Sequence, residues 1–435
     1  MINKLKNLFH FFVRKLPNFF ALIYAIIFIF FVKKVSNKKK YERKVLILNK
    51  ERFWDDLLEL DKSGKLQFIY FDKKRISLLT EPFVKTIRHQ MPSTFWRDYK
   101  EKDFFKDYLD KHSKFIFYFL KYFDLFYKFD SIITPSLWYL QDRSFERGAD
   151  LLKKKFIFLH KENTTDLDFY ENLLQMYNNN TIKFENLSSI IVYNDNTKKV
   201  IADTKKINQN KIFNLGCPRI DNLINLKKDN PKNVTLCSFT YKLGISFLNS
   251  DISHPFATKD PNLKLYFDTI HLAFIELALK HKETQFIIKI KPNLMWKKLI
   301  EDLIIKKEEN LKYKIPNLKI ISNEFTMAEV LKKSRLVIGI NSLSLVEARI
   351  IGIPCIFPNF NEISNYKDKL YFREYFGNEI TLVEDLNELN TFVENNLNTE
   401  FRRNFTELNK KFTEEYFGYS DGKNTERYIN FLLNI

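Results

Sequence analysis

Glycine and cysteine are scarce in this sequence. Only 9 of its 435 residues are glycine and 3 are cysteine. Neither GxxxxGK[ST] nor GxGxxG occurs, so the glycine-rich loops of P-loop and dinucleotide-binding proteins are excluded. The three cysteines, Cys217, Cys237 and Cys355, are widely spaced and odd in number, which excludes a disulfide framework and a CxxC zinc site. We expect a reducing compartment, no metal, and buried thiols at Cys237 and Cys355, which lie in apolar runs.

Positive charge dominates the chain. Lysine and arginine number 71 against 53 acidic residues, a formal charge of +18. Such an excess suits an anionic partner, which can be a nucleic acid, an acidic membrane face or a phosphorylated substrate. Aromatic residues do not interleave with a localised basic stripe beyond the flanks of the first apolar run, and no nucleic-acid-binding motif occurs, so nucleic acid is disfavoured. The length and a hydrophobic content of 45% predict two or three packed domains.

The first forty residues differ from all that follow. Phe19–Val32 (FFALIYAIIFIFFV) is an uncharged run of 14 residues with basic clusters on both sides. As a helix it would be ~21 Å long, shorter than the ~30 Å hydrocarbon core of a bilayer. No small-residue cleavage site follows it, so we interpret residues 1–40 as an uncleaved anchor that spans the membrane or lies in its interface. A buried core helix is the alternative. The heavier basic flank, Lys33–Lys44, predicts that the rest of the protein lies on the cytoplasmic face of the plasma membrane.

After the anchor, short apolar runs alternate with helical patterns. In the first half the predicted strands are Lys44–Leu48, Gln67–Phe71, Ser131–Thr134, Phe156–Leu159, Ser189–Tyr193 and Lys211–Asn214. In the second half they are Val234–Phe239, Gln285–Ile290, Leu318–Ser322, Val337–Ile340 and Pro354–Phe357. The polar stretch 223–233 predicts a linker. The pattern predicts an α/β protein with two doubly wound, Rossmann-like domains that face a cleft, over residues 41–225 and 226–435.

Two polar clusters follow strands of the first half. In FIFLHKENTTD, His160 and Glu162 come directly after a strand, where either could act as a general base. Helix capping by Asn163 and solvated charges are the alternative for this cluster. In FNLGCPRIDNL, Arg219 could hold a phosphate or pair with Asp221 as the chain leaves the first domain.

The second half carries further clusters at its strand ends. They are Lys242 in FTYK, Lys289 and Lys291 in KIKPN, the run NSLSLVEA with Asn341, Ser342, Ser344 and Glu347, and Asp421 in FGYSDGKNTER. Free N–H groups and the positive end of a helix dipole collect where a parallel strand meets the next helix, so NSLSLVEA predicts a pyrophosphate site. The alternatives are that the serines only cap a helix and that the lysines are solvated.

Taken in order, HKEN, GCPRID, FTYK, KIKPN, NSLSLVEA with GIPCIFP, and DGKNTER resemble the GT-B glycosyltransferases of bacterial surface carbohydrate synthesis. They are similar in particular to the branch with the CDP-glycerol glycerophosphotransferases of teichoic acid assembly. The resemblance covers roughly residues 150–430. It implies a nucleotide–phosphate site at Asn341, Ser342, Ser344 and Glu347 with Lys291 as a phosphate contact. It also implies Arg219, Asp221 and Asp421 near the cleft hinge, and Glu162 or His160 as base.

The expected function is metal-independent transfer of a sugar from a nucleotide-activated donor to a surface glycan or a lipid-linked acceptor, without a cofactor. The anionic inner-membrane surface is the further expected partner. KIKPN lacks the histidine of the family's KxHP strand end, and Leu343 separates the two serines, which favours sugar transfer over transfer of a polyol phosphate from a CDP-polyol. A nucleotide-sugar epimerase of the same plan and a non-catalytic, membrane-tethered scaffold remain alternatives.

Overall fold

A computed structural model of the chain describes most of its length. The described residues are 2–37, 40–50, 53–84, 103–135, 140–160, 165–180, 186–224, 231–245, 256–291, 293–307, 315–401 and 407–435. They form two compact units. Unit 1 comprises Met1–Asn163, Tyr170–Arg219 and Lys423–Ile435, and unit 2 comprises Thr164–Phe169 and Ile220–Gly422.

Unit 1 is built on a seven-stranded sheet in the order β1-β3-β2-β4-β5-β6-β7. Its strands are β1 (Lys33–Lys34), β2 (Arg43–Ile47), β3 (Leu66–Tyr70), β4 (Ser131–Thr134), β5 (Lys155–Leu159), β6 (Ser189–Val192) and β7 (Ile212–Asn214). All neighbours pair in parallel except β1 and β3, which are antiparallel. Apart from β1, whose two lysines are exposed, the strands are short, rich in apolar residues and mostly buried, as expected for a parallel sheet covered on both faces.

The helices of unit 1 precede and connect these strands. They are α1 (Ile2–Lys15), α2 (Pro17–Ile29), α3 (Trp54–Asp61), α4 (Lys73–Val84), α5 (Asp103–Tyr127), α6 (Leu140–Leu151), α7 (Tyr170–Asn180) and α8 (Asp195–Asp203). A further helix, α9 (Pro218–Ile224), contains the boundary with unit 2. The last helix of the unit, α16 (Asn424–Asn434), follows unit 2 in the chain.

Unit 2 contains a six-stranded, all-parallel sheet in the order β10-β9-β8-β11-β12-β13. Its strands are β8 (Asn233–Cys237), β9 (Phe286–Lys289), β10 (Leu318–Ile321), β11 (Ser334–Gly339), β12 (Cys355–Pro358) and β13 (Thr381–Val383). Its helices are α10 (Pro261–Lys280), α11 (Leu294–Lys307), α12 (Met327–Lys333), α13 (Leu343–Ile350), α14 (Leu386–Asn398) and α15 (Glu407–Phe417). The predicted α/β class with parallel sheets is confirmed.

The apolar run near the start of the chain packs on unit 1. Ala21, Ala25 and Phe28 of α2 are buried, and the Phe28 ring lies 5.2 Å from that of Phe119 on α5. Among the described residues, no single helix has the length and apolar composition needed to cross a bilayer. The segments Lys4–Lys15 and Pro17–Ile29 satisfy that criterion only as a pair, with a bend of 111° between them.

The predicted spanning anchor is therefore not supported. One face of α2 forms part of the core of unit 1, which accounts for the apolar residues on that face.

Helix α16 completes unit 1 from a distant part of the chain. The Phe431 ring lies 4.8 Å from that of Phe213 on β7, and Tyr428 is fully buried. The chain thus crosses from unit 1 to unit 2 in α9 and returns at Lys423.

Candidate functional site

The order of strands in unit 2 contains one reversal. From β8 the chain builds outward through β9 to β10, and it then returns to the other side of β8 and builds through β11 and β12 to β13. In an open parallel sheet, the crevice for ligands lies at the carboxyl ends of the two strands where the order reverses. Here those strands are β8 and β11, so the candidate site lies between the segment after Cys237 and the start of α13.

The segment after β8 begins with a buried hydrogen-bonded group. Ser238 Oγ lies 2.7 Å from His271 Nε2 on α10 and accepts a hydrogen bond of 2.7 Å from Trp296 Nε1 on α11. His271 Nδ1 lies 2.7 Å from the Phe267 carbonyl, which can only accept, so Nδ1 carries the proton. Burial lowers the pKa of His271 to about 4, so the imidazole is neutral at pH 7 and Nε2 accepts from Ser238.

The next residues form a tight turn against the β11–α13 junction. Leu243 and Gly244 have φ of 51° and 75°, and Asn341 has φ of 47°. Asn341 Nδ2 donates to the Leu243 carbonyl at 2.9 Å, and Asn341 Oδ1 accepts from Tyr371 N at 2.9 Å. A Cβ added at Gly244 would lie 3.0 Å from the Asn341 carbonyl oxygen. The side chain of Asn341, predicted to contact phosphate, instead joins three segments of unit 2.

Helix α13 begins at the junction as the sequence predicts. Ser342 is its N-cap, and Ser342 Oγ accepts from Ser344 N at 3.3 Å. The Ser344 hydroxyl contacts the Cys237 thiol, and burial raises the pKa of Cys237 to about 12. The buried carboxylate of Glu347 lies on the same helix and also contributes to that rise. The capping role of Ser342 is thus present, and the start of α13 lies at the candidate crevice.

The two lysines of KIKPN lie in different environments. Lys289 Nζ donates to the Phe325 carbonyl at 2.9 Å and also to the Ser322 carbonyl, so its ammonium group closes the turn after β10. Lys291, two residues further, is exposed after the end of β9. Lys242 is half-buried in the turn after β8. Of the two lysines, Lys291 is the one whose charge is exposed to a ligand at this edge.

The remaining predicted residue of unit 2, Asp421, is exposed and precedes α16. All three cysteines are buried thiols, and none of them forms a disulfide. No group of three or more His, Cys, Asp or Glu side chains with the geometry of a metal site occurs in the described parts of the chain.

In unit 1, His160 directly follows β5 and is only 2% exposed. Its Nε2 lies 2.8 Å from the hydroxyl of Tyr177 on α7. The other base candidate, Glu162, lies outside the described residues. His160 is thus nearly fully buried, with one ring nitrogen engaged by Tyr177.

Arg219 pairs with a residue that the sequence did not indicate. Its Nη1 lies 3.2 Å from Asp56 Oδ2 on α3 and 3.2 Å from the hydroxyl of Tyr193. Tyr193 also donates to Asp56 Oδ2 at 2.7 Å, and Asp56 is almost fully buried. Asp221, the predicted partner, is buried in α9. The guanidinium of Arg219 therefore neutralises a buried carboxylate of unit 1.

Two features of the site were missed from the sequence. The group of Ser238, His271 and Trp296 joins residues up to 58 positions apart, and only the strand-end position of Ser238 signalled it. The pairing of Arg219 with Asp56 spans 163 positions and had no local signal.

No protein-family model and no curated protein sequence matches this chain. Solved structures with a similar chain path include the UDP-GlcNAc 2-epimerase of Methanocaldococcus jannaschii, at 16% identity and a TM-score of 0.47, covering 89% of this chain and 98% of that one. A glycosyltransferase of Rickettsia africae is similar at 15% identity and a TM-score of 0.43, covering 91% and 100%. A putative UDP-N-acetylglucosamine 2-epimerase of Listeria monocytogenes is similar at 11% identity and a TM-score of 0.48, and the match covers 90% of this chain and 96% of that one. At these values the likeness is distant, and the activities of these proteins do not transfer to this chain.

Proposed function

We propose that this protein is a metal-independent, nucleotide-sugar-dependent glycosyltransferase of GT-B type. The observation that supports it is that the segment after β8 and the start of α13 meet where the strand order reverses between β8 and β11, through the hydrogen bond from Asn341 to the Leu243 carbonyl. The donor diphosphate would lie at the start of α13. Backbone N–H groups, the helix dipole, and the hydroxyls of Ser342 and Ser344 are suited to it.

Positive side chains would stabilise the charge that develops on the leaving nucleotide. Lys291 is exposed after β9 and Lys242 lies in the turn after β8, one strand away. Fixed cations and helix N–H groups can stabilise a diphosphate leaving group in place of a divalent ion. In this proposal the neutral Ser238 and His271 pair forms the floor of the crevice and takes no part in proton transfer.

Glu162 is the proposed base that removes the proton of the acceptor hydroxyl, with His160 as the second candidate. The acceptor would be a glycan or a lipid-linked sugar at the cytoplasmic face of the membrane. We assign no contact with substrate to Arg219, because its guanidinium is engaged by Asp56. We also assign none to Asp221 or Asp421.

The test is a titration of the full chain with UDP, CMP, CDP and GDP in the absence of metal. Ser342→Ala removes both the cap and the hydroxyl, whereas Ser342→Asp keeps a good N-cap and adds a negative charge where phosphate would bind. We expect selective nucleotide binding by the parent protein, and at least ten-fold weaker binding by Ser342→Asp with an unchanged unfolding transition. Lys291→Ala should also weaken binding, while Lys319→Ala, an exposed lysine within β10, should not.

Equal nucleotide affinity of the parent and Ser342→Asp would leave Ser342 as a helix cap only. No binding by the folded parent would favour the scaffold alternative. Incubation with UDP-GlcNAc alone distinguishes the epimerase hypothesis from the transferase hypothesis. Formation of the 2-epimer without any acceptor would contradict the transferase.

A further inference from the structure

Helix α1 turns an apolar stripe outward. Four of its large hydrophobic residues recur at the i, i+3, i+4, i+7 spacing of one helix face, and all four are exposed, with Leu5 at 59%. Phe11, which lies off this spacing, is exposed as well. The residues of this stripe are Leu5, Leu8, Phe9 and Phe12. Leu16, just after the helix, is also exposed. A helix on the surface of a water-soluble domain normally directs such a stripe toward the core.

The opposite side of α1 is held by unit 1. Arg14 Nη1 donates to the Pro82 carbonyl of α4 at 2.6 Å, and Lys6 Nζ lies 2.7 Å from Glu81 Oε1. Val13 is fully buried and His10 nearly so. These contacts fix the rotation of α1, so its apolar stripe is presented outward by the fold.

Helix α2 has the same arrangement. The face with Ala21, Ala25 and Phe28 is buried, while Phe19 and Ile26, spaced at i and i+7, are exposed on another face, as is Phe30 at the C-cap. Phe30 is 80% exposed. The rings of Phe9 and Phe20 meet at 5.4 Å and join the two helices. We call the exposed stripes of α1 and α2 together the outer face.

An apolar surface of this extent on a monomer marks an interaction site. The charge around it selects the partner. Residues 1–40 contain nine basic and no acidic residues, and Lys4, Lys15 and Lys34 are exposed in the same segment as the outer face. Lys33 is also exposed but pairs with Asp72 at 2.8 Å. A second copy of this chain would bring the same positive charges together, whereas an anionic lipid surface would neutralise them.

We propose that the outer face of α1 and α2 binds in the headgroup region of a bilayer that contains anionic lipid. The apolar stripes enter the boundary between headgroups and acyl chains, and the flanking lysines contact lipid phosphates. Neither helix crosses the bilayer in this arrangement, which agrees with their length and the bend between them. The proposal does not depend on the transferase activity, since every residue that carries it lies outside the candidate site.

The experiment is co-sedimentation of the full chain with vesicles of phosphatidylcholine alone and of phosphatidylcholine mixed with phosphatidylglycerol. The apolar variant combines Leu5→Gln, Leu8→Gln and Phe12→Gln, which leaves the net charge unchanged. The charge variant combines Lys4→Gln and Lys15→Gln. The control combines Leu265→Gln and Leu386→Gln, two exposed leucines of unit 2. All substituted residues are exposed, so each variant should retain the parent's unfolding transition.

We expect the parent and the control to bind the mixed vesicles and the apolar variant to lose binding. The charge variant should bind about 30-fold more weakly, from about 1 kcal/mol for each lysine near an anionic surface. The proposal is overturned if the folded parent ignores mixed vesicles, if the apolar variant binds as well as the parent, or if both vesicle types bind equally. A parent dimer that the apolar variant converts to monomer, without vesicle binding, would assign the outer face to a second copy.

Discussion

The hydrogen bond between Ser238 and His271 leaves the Ser238 hydroxyl without a proton to offer a ligand. Its O–H is directed at His271 Nε2, 2.7 Å away, and one lone pair of its oxygen accepts from Trp296. The remaining lone pair can only accept. A group that contacts Ser238 at the end of β8 must therefore be a donor, such as a sugar hydroxyl, and cannot be a phosphate oxygen.

Ser238→Ala should destabilise unit 2 markedly. It removes the donor to a buried imidazole and the acceptor of a buried indole N–H, and each buried polar group left unpaired costs about 1–3 kcal/mol. We expect a loss of at least about 2 kcal/mol in urea unfolding followed by tryptophan fluorescence. Thr240→Ala, whose hydroxyl accepts one bond of 3.3 Å from Lys242 N, is the control and should lose less than half as much. Equal losses would contradict the arrangement.

The stability of the protein should decrease as the pH falls below the ordinary histidine range. Burial lowers the pKa of His271 to about 4 and that of His112 to about 3, both from 6.5 in the unfolded chain. The unfolded state therefore binds more protons between pH 6.5 and 4, so the free energy of unfolding decreases with falling pH, by up to about 3 kcal/mol for His271. Replacing His271 by Gln should flatten this dependence relative to the parent.

Glu415 should have the opposite effect on the pH dependence of the free energy of unfolding, and it provides a control for the histidine experiment. Burial raises its pKa to about 7 from 4.5, so its contribution to stability is present at low pH and is lost as the pH rises from 4.5 to 7. Unfolding midpoints of Glu415→Gln and His271→Gln should deviate from the parent with opposite slopes between pH 4.5 and 6.5. Parallel slopes would show that one of these groups is not buried as described.

Replacement of Arg219 should destabilise unit 1 markedly. Arg219→Met leaves the Asp56 carboxylate buried and without its cation, and breaking a buried ion pair in this way costs about 3–5 kcal/mol. The 20% exposure of the Arg219 side chain places the expected loss at the lower end of that range. Asp56→Asn with Arg219→Met should recover part of the loss, since the uncompensated charge is then removed. The measurement is denaturant unfolding of Arg219→Met, Asp56→Asn and the double variant; no recovery in the double variant would contradict the pairing.

The close approach of Gly244 to Asn341 should make both positions intolerant of change. Gly244→Ala places a Cβ 3.0 Å from the Asn341 carbonyl oxygen at a backbone φ of 75°, and we expect a cost of at least about 1 kcal/mol. Gly64, with φ of 76° and nothing within 4 Å of an added Cβ, is the matched control. The difference in unfolding free energy between Gly244→Ala and Gly64→Ala isolates the contact from the backbone strain. A difference near zero would contradict the packing.

Local patterns in the sequence were sufficient for the α/β class and for most strands. Runs such as those of β3 and β12 are mostly apolar and are buried over their whole length, because both sheet faces are covered. Helix α13 starts after its N-cap Ser342, as its residues predict. Strand β13 was missed, because a strand of three residues gives too short a pattern. Helix α14, which follows it, was also missed. The last predicted helix of unit 2, from Glu400 to Tyr416, is observed at Glu407–Phe417.

The candidate site was predictable in position and less so in detail. A period of two places Lys289 and Lys291 on one side of a strand, but the turn at Ser322 binds only the first ammonium group. From the sequence, Asn341 is predicted to be a helix cap or a phosphate contact. In the structure it has a positive φ and donates a hydrogen bond to Leu243, in a loop about a hundred residues away. The partners that decide these roles are distant in sequence, so no local pattern could reveal them.

The return of α16 to unit 1 separates the order of synthesis from the order of assembly. About 200 residues lie between Arg219, where the chain leaves unit 1, and Lys423, where it comes back. At ~5–20 residues per second a ribosome needs roughly 10–40 s to make them. During that interval the surfaces of β7 and α3 that α16 will cover face solvent, while Ile220–Gly422, nearly all of unit 2, emerges. Unit 2 can therefore fold before unit 1, because unit 1 is complete only when α16 packs on it.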